Sequence, residues 1–349
     1  MGFLQILFLY MVNNLNGNRT VFGAYHILKG KKTSQTLQDC RLFQLTNLFG
    51  VLKQLERAAV MEVVNYLVEK NYIRACGENR FVLTPEGDTF LKRKLTEQPL
   101  PVHLNGFAYR DTTGVFWTRL SLLTQCLSNL KANILEFFPV IKDTRTQLWV
   151  KNKLRSSETN ISKLADKFYF EMETMLQQFS SLEASVFVLR LSGTKRVGLT
   201  IDQVADELKI DRIYAKLLFI NVLHGIMKKS IENKSKYPTI FSIIDQDNTT
   251  ILLTETTKRT YTLLQRGLDI REISSIRSLK ENTVEDHIVE VALNCHDYPI
   301  ERFVSPEQQR AIMAVVSELN TRRLKEIKDR LHHTISYFQI RLTLAKKGF

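Results

Sequence analysis

The run Leu199-Thr200-Ile201-Asp202-Gln203-Val204-Ala205-Asp206-Glu207-Leu208, then Lys209-Ile210-Asp211, then Arg212 onward to Leu223, decides how this chain reads. Thr200 stands where an N-cap hydroxyl satisfies the first free amides of a helix. Lys209 to Asp211 supply the turn, and a second helix starts at Arg212. Ala205 is small enough to let the two helices cross closely, as a helix-turn-helix requires. Beyond them, Lys228 to Ile244 reads as a wing, a Lys-rich tip followed by the β-prone run Thr239-Ile240-Phe241-Ser242-Ile243-Ile244. Residues 183–258 are therefore expected to form a winged helix.

The same outline appears at the N-terminal end, residues 1–98. Leu55 to Lys70 carries Val60, Val63, Val64, Leu67 and Val68 at helical spacing. A hairpin follows, with Asn71-Tyr72-Ile73-Arg74 and Arg80-Phe81-Val82-Leu83 on either side of Gly77-Glu78-Asn79. Thr84 then caps a new helix with Pro85 in its first position. Met1 to Val12 is apolar but lacks a positive n-region and a cleavage site, and is too short to span a bilayer. It reads as an opening helix, with Met11 and Leu15 in a core. The expectation is a cytoplasmic, nucleoid-associated protein, and the sequon-like triplets at Asn18, Asn160 and Asn248 carry no meaning there.

Pro99 and Pro101 mark a boundary. Residues 99–182 read as a helical spacer, with long helices over Leu120 to Phe138 and Ile161 to Phe179. Residues 259–349 repeat the helix-turn-helix idea. Gly267 to Ile273 enters one helix, Ser278 to Ile288 makes a turn and a second, and a further pair spans Leu324 to Leu331 and Ile335 to Ala345. The fold class expected is mainly α, an array of helix-turn-helix and winged-helix units with small β-hairpin wings. Sparse Gly and Pro, 14 and 7 residues in 349, agree with long helices.

Lys and Arg number 49 against 36 Asp and Glu, a net charge of +13. Such an excess speaks about partners, with polyanions the obvious ones. The local charge then separates the units, because phosphate contacts supply most DNA affinity. Arg212 and Lys216 lie four apart on one face of the expected recognition helix, with Tyr214 beside them. The wing adds Lys228, Lys229, Lys234 and Lys236. From Thr321 to Phe349 there are eight basic residues and two acidic ones, the densest positive patch of the chain. Arg322, Arg323, Lys325, Lys328 and Arg341 are its candidate DNA contacts. Residues 261 to 320 have the opposite sign, with six basic and ten acidic residues. Glu281, Glu285, Asp286 and Glu290 would repel phosphate there, so that helix is expected to pack inside its domain or to dock a basic protein surface.

Catalytic and metal signals are missing. Cys40, Cys76, Cys126 and Cys295 stand apart, with no CxxC pair. Gly23 to Thr33 looks like a phosphate loop at first sight. Tyr25 occupies the place of its leading Gly, and Lys32 that of the Ser/Thr that binds magnesium, so it reads as a basic helix end. His332-His333 has no Asp, Glu or Cys companion and reads as surface or DNA-adjacent, not metal-binding. No cofactor, metal, small-molecule substrate, membrane or catalytic residue is expected.

The string Gly267-Leu268-Asp269-Ile270-Arg271-Glu272-Ile273, with Leu279-Lys280-Glu281-Asn282-Thr283-Val284-Glu285-Asp286-His287-Ile288, resembles the helicase-associated helix-turn-helix domain at the C-terminus of some RecQ-type DNA helicases. The ending Ile335-Ser336-Tyr337-Phe338-Gln339-Ile340-Arg341 fits it too. The chain as a whole resembles the YpbB-like proteins, through Asn18-Arg19-Thr20, Gly30-Lys31-Lys32-Thr33-Ser34-Gln35-Thr36 and Gln44-Leu45. That family lies genetically beside a RecQ-like helicase. The resemblance implies a non-catalytic DNA-binding accessory in repair or recombination, with DNA and a RecQ-like helicase as partners. The alternatives are a winged-helix transcription regulator and an adaptor that touches only proteins. A regulator would be a two-fold dimer reading a palindrome, which several non-identical units in one chain disfavour.

Overall fold

A computed structural model describes residues 2–156, 161–244, 253–295, 297–319 and 324–347. The chain opens with α1 (Phe3–Leu15), α2 (Val21–Lys29) and α3 (Ser34–Leu42), then α4 (Arg57–Glu69), β1 (Ile73–Gly77), β2 (Arg80–Leu83) and α5 (Pro85–Glu97). The middle holds α6 (Gly106–Tyr109), α7 (Thr113–Lys131), α8 (Thr144–Arg155), α9 (Ile161–Leu176), α10 (Ser181–Val188), α11 (Ile201–Leu208), α12 (Arg212–Glu232) and α13 (Pro238–Phe241). The last part holds α14 (Glu255–Gln265), α15 (Ile270–Arg277), α16 (Glu281–Asn294), α17 (Pro306–Leu319), α18 (Leu324–Arg330) and α19 (Tyr337–Lys347). The fold is mainly α, as the residue patterns require, with a single two-stranded sheet among the described residues.

Contacts group these elements into two compact units. One comprises Met1–Ile6 with Leu95–Thr249, the other Leu7–Lys94 with Thr250–Phe349. The second is thus built from both ends of the chain.

In the unit that combines Leu7–Lys94 with Thr250–Phe349, the expected N-terminal helix, hairpin and second helix are present. β1 and β2 pair antiparallel with Ile73 opposite Leu83 and Gly77 opposite Arg80. The Thr84 hydroxyl donates to Asn71 O at 2.6 Å and accepts from Gly87 N at 3.0 Å, capping α5 and tying it to the base of the hairpin. Gly87 is demanded by this packing, since a Cβ there would stand 1.9 Å from Tyr72 O. The hairpin tip is pinned as well, because Asn79 O accepts from Val21 N at 2.9 Å. In the same unit, α16 forms the centre, packed against α3, α14, α15 and α19. Val284, Ile288, Val291 and Ala292 are all buried on it.

In the other unit α12 has the central place, packed against α7, α10, α11 and α13. Its start follows the sequence reading closely. Thr200 and Gln203 form a capping box, Lys209 adopts a left-handed φ of 54° to end α11, and the Asp211 carboxylate accepts from Ile213 N and Tyr214 N to open α12. Asn221, fully buried, donates to Glu183 at 2.7 Å and accepts from His103 N at 2.6 Å. His224 accepts from Asn105 N at its Nδ1, which leaves Nε2 to donate to Thr113 Oγ1, each at 3.0 Å.

Two expectations are corrected here. The helix placed at 120–138 runs from Thr113 to Lys131, and the chain turns at Asn133, where φ is 58°. The wing placed at 228–244 does not form. α12 continues to Glu232, and α13 follows in place of a strand. Ile240, Ile243 and Ile244 are all buried, which is i, i+3, i+4 spacing and not the alternation of a strand. The buried Glu171 carboxylate accepts from Thr239 N and Ile240 N at 3.1 and 3.0 Å, satisfying the amides that a ladder would have used.

Candidate nucleic-acid interface

The two helices read as recognition helices are the central helices of their units, so neither offers a long free face to a groove. On α12, Tyr214 is buried against Phe3, with ring centroids 4.6 Å apart, and its hydroxyl points to Pro99 O. Lys216 is half-buried, and burial, followed by the charges of Arg212 and Arg190, lowers its pKa. Arg212 is exposed and paired with Asp202. The lysines expected on the wing lie at the far end of α12, roughly 20–25 Å away along the axis at 1.5 Å per residue. Lys228 faces Glu232, Lys229 bonds Gln178 at 2.7 Å over the Phe179 ring, and Lys234 and Lys236 cover Phe241 and Tyr237. The single footprint expected from helix and wing therefore becomes two separated basic ends.

On α16 the four acidic residues divide. Glu290 is sealed in the core and accepts from Thr254 N at 2.5 Å and Thr257 Oγ1 at 2.7 Å, so it caps α14 and presents nothing to a partner. Asp286 pairs with Arg341, whose Nε also bonds Gln38 at 3.0 Å. Arg341 is thus a cross-link between α19, α16 and α3, not a free phosphate contact. Glu285 is half-buried, and burial raises its pKa. Of the four, Glu281 alone is exposed, 4.0 Å from Arg271. Of the two expectations for this helix, packing inside the domain describes it.

In the C-terminal patch, Lys325 is exposed on α18 and Lys328 lies over the Tyr337 ring at 4.2 Å. Arg322 and Arg323 lie outside the described residues. Lys325 and Tyr337 share a hollow with Arg19, Cys76 and Arg80 near the tip of the N-terminal hairpin.

The charge of the first winged helix went unread in the sequence, although the same test would have found it. Arg74 and Arg80 are exposed on the hairpin. Lys31, Arg57 and Lys29 all act on His26, whose pKa is lowered first by burial and then by those three charges. In the other unit an apolar groove of about 940 Å³ opens between α7, α9 and α10, floored by Leu127, Phe168, Met172 and Leu191. Among the described residues no cluster of His, Cys, Asp and Glu could hold a metal, and no helix is long and apolar enough to cross a membrane.

Comparison with known proteins places these features. Residues 7–101, which include the hairpin and its flanking helices, match the RQC domain. Residues 256–344, from α14 to α19, match a helix-turn-helix domain of the RecQ-associated type. These are DNA-binding domain types, and they relate the chain to RecQ proteins. No solved structure matches. Protein YpbB of Bacillus subtilis (strain 168) is 34% identical over 349 residues, covering 99% of this chain and 98% of the relative. A winged helix of RQC type joined in one unit to a RecQ-associated helix-turn-helix, in a chain matched end to end at that identity, belongs to the YpbB family.

Proposed function

We propose that the chain is a non-catalytic DNA-binding accessory that works with a RecQ-like helicase in repair or recombination. The observation that carries this reading is the compact unit that combines an RQC-type winged helix with a RecQ-associated helix-turn-helix. Both are elements found beside a helicase motor, and here they come with no phosphate loop in the sequence. The exposed cations of the first winged helix and of α18 support a polyanionic partner.

Fluorescence anisotropy on duplex, forked and single-stranded DNA across a salt series, with and without the RecQ-like helicase, tests it. Salt-sensitive binding that the helicase strengthens is the expected result. No binding to any DNA form, alone or with the helicase, sinks the reading. A protein-only adaptor would then be the better account, and the apolar groove between α7, α9 and α10 supports it, since a surface of that kind suits a protein partner.

A further inference from the structure

Two hollows meet along the hairpin of the RQC-type winged helix. One, of about 400 Å³, is bordered by Thr20 and the tip residues Gly77 to Arg80. The other, of about 500 Å³, is bordered by Gly17 to Arg19, Cys76, Arg80, Leu324 to Glu326 and Tyr337. Arg80 borders both, so the two hollows adjoin at its side chain and are treated together as one groove. It runs from the hairpin tip to the α18–α19 pair, within the unit built from the two chain ends. Each hollow has the size of a small-ligand cleft.

The wall chemistry is specific. Tyr337 is 44% exposed, and Lys328 lies over one face of its ring, 4.2 Å from the centroid. Arg80 and Lys325 are exposed on opposite sides, one from the hairpin and one from α18. Arg19 is committed to Asp39 at 2.9 Å, and Glu78 and Glu326 also stand at the border, so the net positive charge is modest. A purely electrostatic seat for a duplex would carry more cations and would not need the ring. Bases in a duplex hide their faces in the stack, whereas an unpaired base offers a face to an aromatic side chain.

We infer that this groove binds a single strand of DNA, with one base stacked on the face of the Tyr337 ring away from Lys328 and the neighbouring phosphates met by Arg80 and Lys325. The inference rests on the DNA-binding reading above and adds the form of DNA and the residues that select it. The hairpin tip that borders the groove is held to α2 by the hydrogen bond from Val21 N to Asn79 O.

The experiment uses the full chain with fluorescein-labelled oligo-dT and a blunt duplex of the same length at low salt. A second single strand carries 2-aminopurine, whose emission falls on stacking. Tyr337→Ala is expected to weaken single-strand binding by about tenfold, abolish the 2-aminopurine quench, and leave duplex binding within about twofold. Tyr337→Phe, which keeps the stacking face, is expected to restore both. Arg80→Glu with Lys325→Glu gives a second test from the two walls, with the same loss expected. Single-strand affinity unchanged in both the alanine and the double variant, while the parent binds, overturns the groove and leaves the DNA-binding reading intact. Equal losses on duplex and single strand also overturn it. A parent that binds neither form overturns both readings.

Discussion

At the scale of single residues, burial decides what charge and spacing could not. His224 is buried, and desolvation pushes its pKa down to about 3, while burial and then Arg277 push His287 to about 4. A folded pKa below the ordinary 6.5 means that the unfolded chain binds more protons in the interval. Stability is therefore complete above pH 6.5 and is lost as pH falls towards those values, at up to about 1.4 kcal/mol per pH unit per histidine. Urea denaturation at pH 7, 6 and 5 is expected to show this decline, and His224→Gln should flatten it. An identical slope in the variant removes His224 as its source. Glu290→Lys would place an unpaired cation in the core and is expected to cost more than about 3 kcal/mol. A folded Glu290→Lys protein with parental thermal stability would show that its hydrogen bonds to Thr254 and Thr257 matter little. Gly87→Ala meets backbone at Tyr72 and is expected to lower stability by about 2–4 kcal/mol, measured by the same denaturation.

At the scale of elements, the ion pair between α16 and α19 changes what a mutation of the C-terminal patch reports. Replacing Arg341 by Glu would set two carboxylates against each other beside Gln38, so a loss of DNA affinity there would arise from damaged packing. Each single reversal, Arg341→Glu or Asp286→Lys, is expected to cost about 1 kcal/mol, since the pair is part-exposed. The double reversal should recover most of it, as a double-mutant cycle on thermal denaturation would reveal. Additive losses would mean that the pair contributes no coupling. The helix-turn-helix pattern itself was legible in both units, because N-caps and left-handed C-caps are local. Lys209 and Ser278, with φ of 54° and 50°, end α11 and α15 three residues before the next helix starts. The failed wing at 228–244, with its β-prone run at 239–244, shows the limit of local reading. A β-branched run fits a strand or a buried helical turn, and Glu171, far off in sequence, selected the turn.

At the scale of the whole molecule, the unit that combines residues 7–94 with 250–349 has a consequence for dissection. α16 packs on α3 as well as on α14 and α19, and α19 also touches α3. The segment 256–344, expressed alone, would leave the α3-facing side of α16 in water. It is expected to unfold without cooperativity, and adding residues 7–94 in trans should restore a sigmoidal transition. A cooperative transition in the isolated segment would show that α3 is dispensable to it. Full-chain DNA affinity should fall with salt, and removal of Arg80 and Lys325 should lower the slope by about 0.7 per lost contact with a single strand. An unchanged slope would take those two side chains out of phosphate contact.

By itself the sequence determined the mainly helical class, the starts of several helices, the N-terminal hairpin and the family. Each of these rests on interactions a few residues long, such as the cap at Thr200, the turn at Gly77 to Asn79 and the spacing of Val60, Val63, Val64 and Leu67. Only the tertiary structure decided which helix is central and which cations remain available. Arg212, Lys229 and Arg341 read as free charges on a helical wheel, yet each meets a partner that the sequence places elsewhere. Tyr337 shows the converse. Nothing local distinguishes it from a core aromatic, and the hairpin some 250 residues earlier that shares its hollow cannot be read from its own stretch of chain. Local hydrogen bonds and periodicity are encoded within a turn or two of chain, whereas burial and charge pairing are properties of the contacts between distant segments.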